Sequence, residues 1–394
     1  LGVWHYHAVF LEIPSLFAIK HLAPTITVFF RRLLHDHMLL AMMSLWGILW
    51  WLRPEPLVEM ANRVHWTTLA VLTGLMILSR ALELSGYLTL WGRQLLAHLK
   101  GERRLAIGLV MFSGLLSAVV TNDVALFIVV PLTLSLARMA ALPIARLIVF
   151  EALAVNAGSS LSPIGNPQNL YLWQHSGVSF GEFLWTMLPL GAGLMVLLLL
   201  LVPLAFPKAS IRLDEVVAVP NKKLPKPLWA ALFGYPLFLF AVEMGWAVQA
   251  VGCVLFLMLV IARRAVFSID WLLLIVFILM FVNLSLLGEF NFIQQAIGIM
   301  QQWPGGDVSA GVLLSQLVSN VPATLLLAEQ SEWQPLAWGV SVGGFGLAIG
   351  SMANLIALRL ARQQGIWKEF HRWSIPMLGL AWLFAAVCLS ALEP

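Results

Sequence analysis

Charge is what this chain has least of. Only 11% of its 394 residues are charged against 60% hydrophobic, and the mean hydropathy is +0.89. That is too little charge to coat a soluble fold of this length, so most of the surface must face lipid. Cysteine is almost missing as well. Cys253 and Cys388 lie far apart inside apolar segments, which excludes a disulfide framework and a zinc site. There is no HExxH and there are no paired histidines within the apolar runs, so no enzyme and no cofactor are expected. The opening stretch LGVWHYHAVFLEIPSLF lacks the basic start and small-residue cleavage site of a signal peptide, and membrane insertion is expected to rely on internal spans. The net charge of +4 is spread over short connections between apolar runs, as in the positive-inside pattern, and predicts no nucleic-acid partner.

What is present is a series of apolar runs of spanning or near-spanning length, such as Trp185–Pro207, Pro227–Trp246, Val251–Ile261 and Trp271–Leu287. These predict an all-α, multi-pass integral membrane protein. Five of the nine histidines fall in the first 37 residues, including His5, His7, His35 and His37, and read as part of an interfacial amphipathic arm. Three anchors recur in order along the chain. Trp66-x-x-Leu69-x-Val71 matches Trp271-x-x-Leu274-x-Val276. Ser117-x-x-Val120-Thr121-Asn122-x-x-Ala125 matches Ser315-x-x-Val318-Ser319-Asn320-x-x-Ala323, and Ile164-Gly165-x-x-x-Asn169 matches Ile349-Gly350-x-x-x-Asn354. Their collinearity predicts a duplication. The expected organisation is an N-terminal arm and first helix over 1–63, a first repeat over 64–206, a cytoplasmic linker over 207–226 and a second repeat over 227–394.

Six basic clusters test the orientation: Arg31-Arg32; Lys100, Arg103 and Arg104; Arg138 with Arg146; Lys208 to Lys226; Arg263-Arg264; and Arg359, Arg362, Lys368 and Arg372. All six are cytoplasmic together if the segments around Asn122 and Asn320 are re-entrant hairpins and those around Gly165 and Gly350 cross as broken helices. Equivalent segments then run in opposite directions, giving two inverted-topology repeats. The expected count is nine to ten transmembrane helices plus two hairpins and two broken helices, with Phe10–Phe30 as the tenth.

Backbone released from a helix is not tolerated against lipid, so a break at membrane depth should line a cavity. The run from Asn156 to Asn169, with Gly158, Pro163, Gly165, Asn166 and Pro167, removes donors and disfavours helix. The run from Gly343 to Asn354, with Gly344, Gly346, Gly350 and Ser351, is its gentler counterpart. Freed carbonyls with hydroxyl and amide oxygens suit an alkali cation, and half-helix N-termini suit an anion. Close helix packing is the alternative role for these glycines. Asp123 is an ionisable group expected at membrane depth, read either as a proton carrier or as a helix cap. Glu151 is a second proton-coupling candidate, or a carboxylate near the cytoplasmic end. Arg80 and Glu83, one helical turn apart, are expected to pair with each other.

At these residues the chain resembles the ion transporter superfamily of divalent anion/sodium symporters, citrate transporters, arsenite permeases and a sodium/proton antiporter branch. The stretches that carry the likeness are GLMILSRALELSGYL, TNDVALFIVVPLTLSLARM, FEALAVNAGSSLSPIGNPQNLYLW, VSNVPATLLL and VGGFGLAIGSMANLIALR. The resemblance implies a secondary transporter of the bacterial inner membrane, with alternating access, a small-anion substrate, sodium or protons as coupling ion and a possible homodimer. It implies cation sites at Ser117, Thr121, Asn122 and Gly165 and at Ser315, Ser319, Asn320 and Gly350. Substrate is expected to meet Asn122, Asp123, Asn166, Pro167, Asn169, Asn320, Ser351 and Asn354. Asp123 and Val321 depart from the pattern, standing where the symporter branch carries threonine. A carboxylate there would repel a dicarboxylate, which leaves the cation/proton antiporter and the arsenite-type permease as alternatives.

Overall fold

The computed structural model of the chain describes residues 37–97, 99, 101–137, 142–210 and 225–392, and all regular structure among them is helical. Phe10–Phe30, Arg31-Arg32, His5, His7, His35, Lys100, Arg138 and most of the linker lie outside the described residues. Two leading helices, α1 (His37–Leu52) and α2 (Leu57–Asn62), precede a series of seven. These are α3 (Trp66–Leu84), α4 (Tyr87–Ala97), α5 (Glu102–Val119), α6 (Asn122–Leu136), α7 (Ile144–Ser159), α8 (Pro167–Ser176) and α9 (Phe180–Ala205). Then α10 (Lys226–Glu243), α11 (Ala247–Ile261) and α12 (Arg263–Phe267) lead to another seven. These are α13 (Trp271–Gly288), α14 (Asn291–Gln301), α15 (Gly306–Val318), α16 (Asn320–Leu327), α17 (Trp333–Val342), α18 (Met352–Ala361) and α19 (Ile366–Leu392). Each series runs through a membrane-length helix, a short amphipathic helix, two helices meeting at a tight break, two more meeting at a longer break, and a long final helix.

Among the described residues four helices are long and apolar enough to cross a membrane alone: α3, α9, α13 and α19. At 1.5 Å per residue the eight residues of α16 and the ten each of α8, α17 and α18 fall well short of a hydrocarbon core. Local chemistry sets the breaks. Asn166 caps α8, its side chain accepting from the Asn169 amide at 2.8 Å, and Pro167 follows at the first helical position. Ser351 caps α18 in the same way through the Ala353 amide at 3.3 Å. Ser179 caps α9 with Glu182 three residues on, the sequence of a capping box.

Packing divides the helices into two groups. In one, α3 packs on α10 and α11, and α1 packs on α13. In the other, α5 lies along α7 and α15 along α17, with α6, α9, α16, α18 and α19 around them. The groups meet where α3 touches α6 and α8, and where α13 touches α16. Both central pairs rest on backbone-to-backbone approach. A Cβ on Gly158 would run into the Gly114 backbone, and one on Gly339 would run into the backbone of Val308. Small residues provide such close contact where lipid offers no hydrophobic drive to associate.

Replacing Gly158 by leucine is therefore expected to cost at least about 2 kcal/mol, because backbone rather than a mobile side chain must yield. Gly252→Leu, on α11 with nothing within 4 Å of its added Cβ, should be neutral. Thermal unfolding in detergent compares the two, and equal melting temperatures would refute the close-approach account.

A candidate site between the two helix groups

The two longer breaks are held by side-chain amides. Asn169 Nδ2 lies 3.0 Å from the Ser160 carbonyl, 3.3 Å from that of Ser162 and 3.4 Å from that of Ser159. Asn166 Nδ2 donates to the Ser159 carbonyl at 3.1 Å. In the second half the work falls to Gln316 on α15. Its Nε2 donates to the Gly343 and Phe345 carbonyls at 2.8 and 3.1 Å, and its Oε1 accepts from the Leu347 amide at 2.8 Å. One bond joins the two breaks directly: Asn156 Nδ2 donates to Asn354 Oδ1 at 2.7 Å. Both asparagine amides also reach the Gly344 carbonyl, at 3.2 and 2.8 Å.

The tight breaks differ in strain. Thr121 is extended, with φ −63° and ψ 147°, and the Asn122 amide that follows donates to the Gly165 carbonyl at 2.8 Å. Ser319 stands at φ 77° and ψ 155°, a region that only glycine enters easily. Thr121 Oγ1 and Asn169 Oδ1 are buried oxygens with no hydrogen-bond partner.

A cavity of about 690 Å³, counting the space at its mouth, lies between the two helix groups. One wall is apolar: Met38 from α1, Leu72 and Met76 from α3, and Leu273, Phe277 and Met280 from α13. The facing wall is built from four helix N-termini, marked by Asn122 on α6, Pro167 and Gln168 on α8, Asn320 on α16 and Met352 on α18. Gln168, Val321 and Met352, whose backbone amides have no hydrogen-bond partner among the described residues, all line it. Among the described residues Asp123 is the single ionisable one lining the cavity. A smaller pocket adjoins it through Leu72, Pro167, Gln168 and Phe277. Close by, His65 packs edge-on against Tyr171 and tilted against Phe281, with ring centroids 5.0 and 5.1 Å away. Burial, and then the charge of His175, pull the His65 imidazole below its ordinary range.

Of the residues singled out in the sequence, Thr121, Asn122, Asp123, Pro167, Ser319, Asn320 and Ser351 line this cavity. The others stand behind it. Ser117 Oγ is 3.0 Å from the Gly114 and Val155 carbonyls, and Ser315 Oγ donates to the Gly311 carbonyl at 2.6 Å. Gly165 and Gly350 sit where a Cβ would meet the backbone of Ser159 and Gly343 respectively. Asn166, Asn169 and Asn354 serve as the caps and ties already described. Glu151 is fully buried on α7, where it accepts from the Thr133 hydroxyl, and its second oxygen has no partner. It does not line the cavity. Arg80 and Glu83 pair with each other at 2.6 Å. Gln168 escaped the sequence reading, although its place in the first turn after Asn166-Pro167 marks it as facing whatever that helix end faces. The apolar wall gave no sequence signal, since its residues resemble any buried stripe.

These features define a polytopic helical membrane protein with a cleft between two bundles. The chain matches the citrate transporter family over residues 26–343. It is 46% identical over 337 residues to the inner membrane protein YbiR of Escherichia coli, covering 83% of this chain and 88% of that one. It is 33% identical over 318 residues to the transporter MJ0456 of Methanocaldococcus jannaschii, covering 77% and 83%. The fold is similar to that of the YdaH transporter of Alcanivorax borkumensis, with a TM-score of 0.55 at 16% identity over 85% of this chain and 88% of that one. The chain belongs to the citrate transporter family. It is a secondary transporter and not an enzyme, a multi-pass protein of the inner membrane.

The strain at Ser319 predicts that Ser319→Gly raises stability by about 1 kcal/mol, the relief of the backbone exceeding the entropy that glycine adds to the unfolded chain. Thr121→Gly, at an ordinary extended conformation, should lower it. Melting temperatures of the purified variants decide this, and an S319G protein that melts below wild type would show that Ser319 is unstrained.

Proposed function

We propose that the chain carries a small anion, a carboxylate or an inorganic oxyanion, across the inner membrane by alternating access coupled to sodium or protons. The observation that carries this reading is the convergence of four half-helix N-termini, with unpaired amides at Gln168, Val321 and Met352, on one cavity. Each N-terminus acts as roughly half a positive charge, so the wall favours an anion without any basic side chain. The opposite wall offers no hydrogen bonds, which suits a surface along which a substrate-bearing bundle slides. The bundle of α5–α9 and α15–α19 would move against the one formed by α1, α3, α10, α11 and α13, exposing the cavity to either side in turn.

The matching series α3–α9 and α13–α19 supports a duplication, with α10–α12, inside the second repeat expected over 227–394, standing outside the match. On this reading α5–α6 and α15–α16 are re-entrant hairpins, while α7–α8 and α17–α18 are broken crossing helices, their short members being halves of a span. With α1, α3, α9, α10, α11, α13 and α19 this makes nine crossings among the described residues. The unpartnered Thr121 and Asn169 oxygens, with the Gly165 carbonyl, form an oxygen-rich cluster suited to a coupling cation at the first break, Ser315, Ser319, Asn320 and Gly350 forming its counterpart. A second reading, cation/proton antiport, is favoured by one observation: Asp123 is the single ionisable group lining the cavity. An arsenite-type permease lacks a thiol pair to hold a soft ligand, since Cys253 and Cys388 are far from the cavity lining.

Flux in proteoliposomes separates these. Uptake of an anion that needs sodium or a proton gradient, and falls at least tenfold in Asn122→Ala/Asn320→Ala, is the expected outcome. Cation flux linked to pH that needs no anion and stops in Asp123→Asn would replace the carrier reading with the antiporter.

A further inference from the structure

The anion-carrier reading leaves the class of anion open, and the charges at the cavity narrow it. Four helix N-termini contribute about +2 in all, and the Asp123 carboxylate takes back one charge. The remainder, near +1, balances one negative charge and not two. Among the neutral polar side chains of the same wall, Thr121 at 4% exposure, Gln168 at 3% and Asn320 at 3% are nearly fully buried. Thr121 Oγ1 has no partner but the neighbouring Asp123 carboxylate, and no hydrogen bond engages the side-chain amides of Gln168 and Asn320 among the described residues. Buried polar groups left open in this way call for a hydrogen-bonding ligand. The carboxylate of Asp123 is acceptor-only: the Thr121 hydroxyl and the Val124 amide already approach it, and no Lys, Arg or His among the described lining residues faces it.

We propose, building on the anion-carrier reading, that the substrate is a small monoanion bearing its own hydroxyl donor, a hydroxy monocarboxylate or a partly protonated inorganic oxyanion. Its charged oxygens take the amides at the helix N-termini and Gln168, while its hydroxyl donates to Asp123. A dianion sets a second negative charge against the Asp123 carboxylate and is rejected. Asp123 thus selects by charge and donor count.

The test uses the full-length purified protein and ligand-induced shifts in melting temperature, titrated to give apparent affinities. The probes are L-lactate and inorganic phosphate at pH 6, which both fit the class, propionate, which lacks the hydroxyl, and succinate and citrate, which carry extra charge. Lactate, phosphate or both should bind about tenfold more tightly than propionate or the polyanions, the effect of one hydrogen bond to a charged group. Which of the two binds identifies the member of the class. Asp123→Asn keeps the shape and removes the charge, so it should admit succinate and shrink the preference for the monoanion to about twofold. Gln168→Ala should weaken all anions alike. If Asp123→Asn does not fold, the ranking of probes by wild type still decides. Succinate or citrate binding wild type as well as lactate or phosphate, or propionate doing so, would overturn the monoanion assignment while leaving anion carriage standing. Shifts produced by sodium or pH alone, with no anion effect, would overturn both.

Discussion

The structure depends on keeping peptide groups satisfied where the helices stop inside the membrane. Leaving one backbone amide or carbonyl unpaired in hydrocarbon costs several kcal/mol. Four helices here begin at that depth. The cost is met by a few side-chain amides: Asn169 and Asn166 at the first long break, Gln316 at the second, and the Asn156 to Asn354 bond between them. Each of these residues is within hydrogen-bonding reach of one or more carbonyls, so their removal would release several backbone groups together. The breaks then persist as rigid features, and the N-termini that they expose point at the cavity for the life of the fold.

That rigidity explains the division of labour between the bundles. The polar wall and all four N-termini belong to the α5–α9 and α15–α19 group, whose core pairs close through Gly158 on Gly114 and Gly339 on Val308. The other group contributes methionine, leucine and phenylalanine. A site whose hydrogen bonds all come from one side can travel with that side. Were the bonds shared between bundles, each movement would break them, and alternating access would have to overcome that loss in every cycle.

Much of this was legible in the residues because the causes are local. Proline, glycine and capping asparagine write a helix break directly, and Asn166-Pro167 and Ser351 stand where the helices begin. The recurring anchors fall at corresponding places in the two helical series. What could not be read is which of the polar residues face the cavity and which hold the break. Asn166 and Asn169 differ from Gln168 only in direction within one turn, and direction depends on packing. Glu151 and Asp123 looked alike as isolated carboxylates, yet one, on α7, is buried against Thr133 of α6 and the other lines the cavity. The apolar wall is legible only once the two bundles are seen to face each other.

The two halves match in order but not in chemistry. The first tight break is relaxed at Thr121, tied to Gly165 by the Asn122 amide, and carries a charge at Asp123. The second holds Ser319 in a glycine-like conformation and has Val321 where the first has its carboxylate. Duplication fixes where the helix ends converge, because that follows from the shared pattern of breaks. It leaves the side chains at each tip free to diverge, since either tip can cap its own helix. An asymmetric pair can hold a substrate by one end at the neutral tip and by a donor at the charged tip. On the proposed reading the geometry of the cavity is inherited from the repeat, while selectivity rests on the few positions where the repeats disagree.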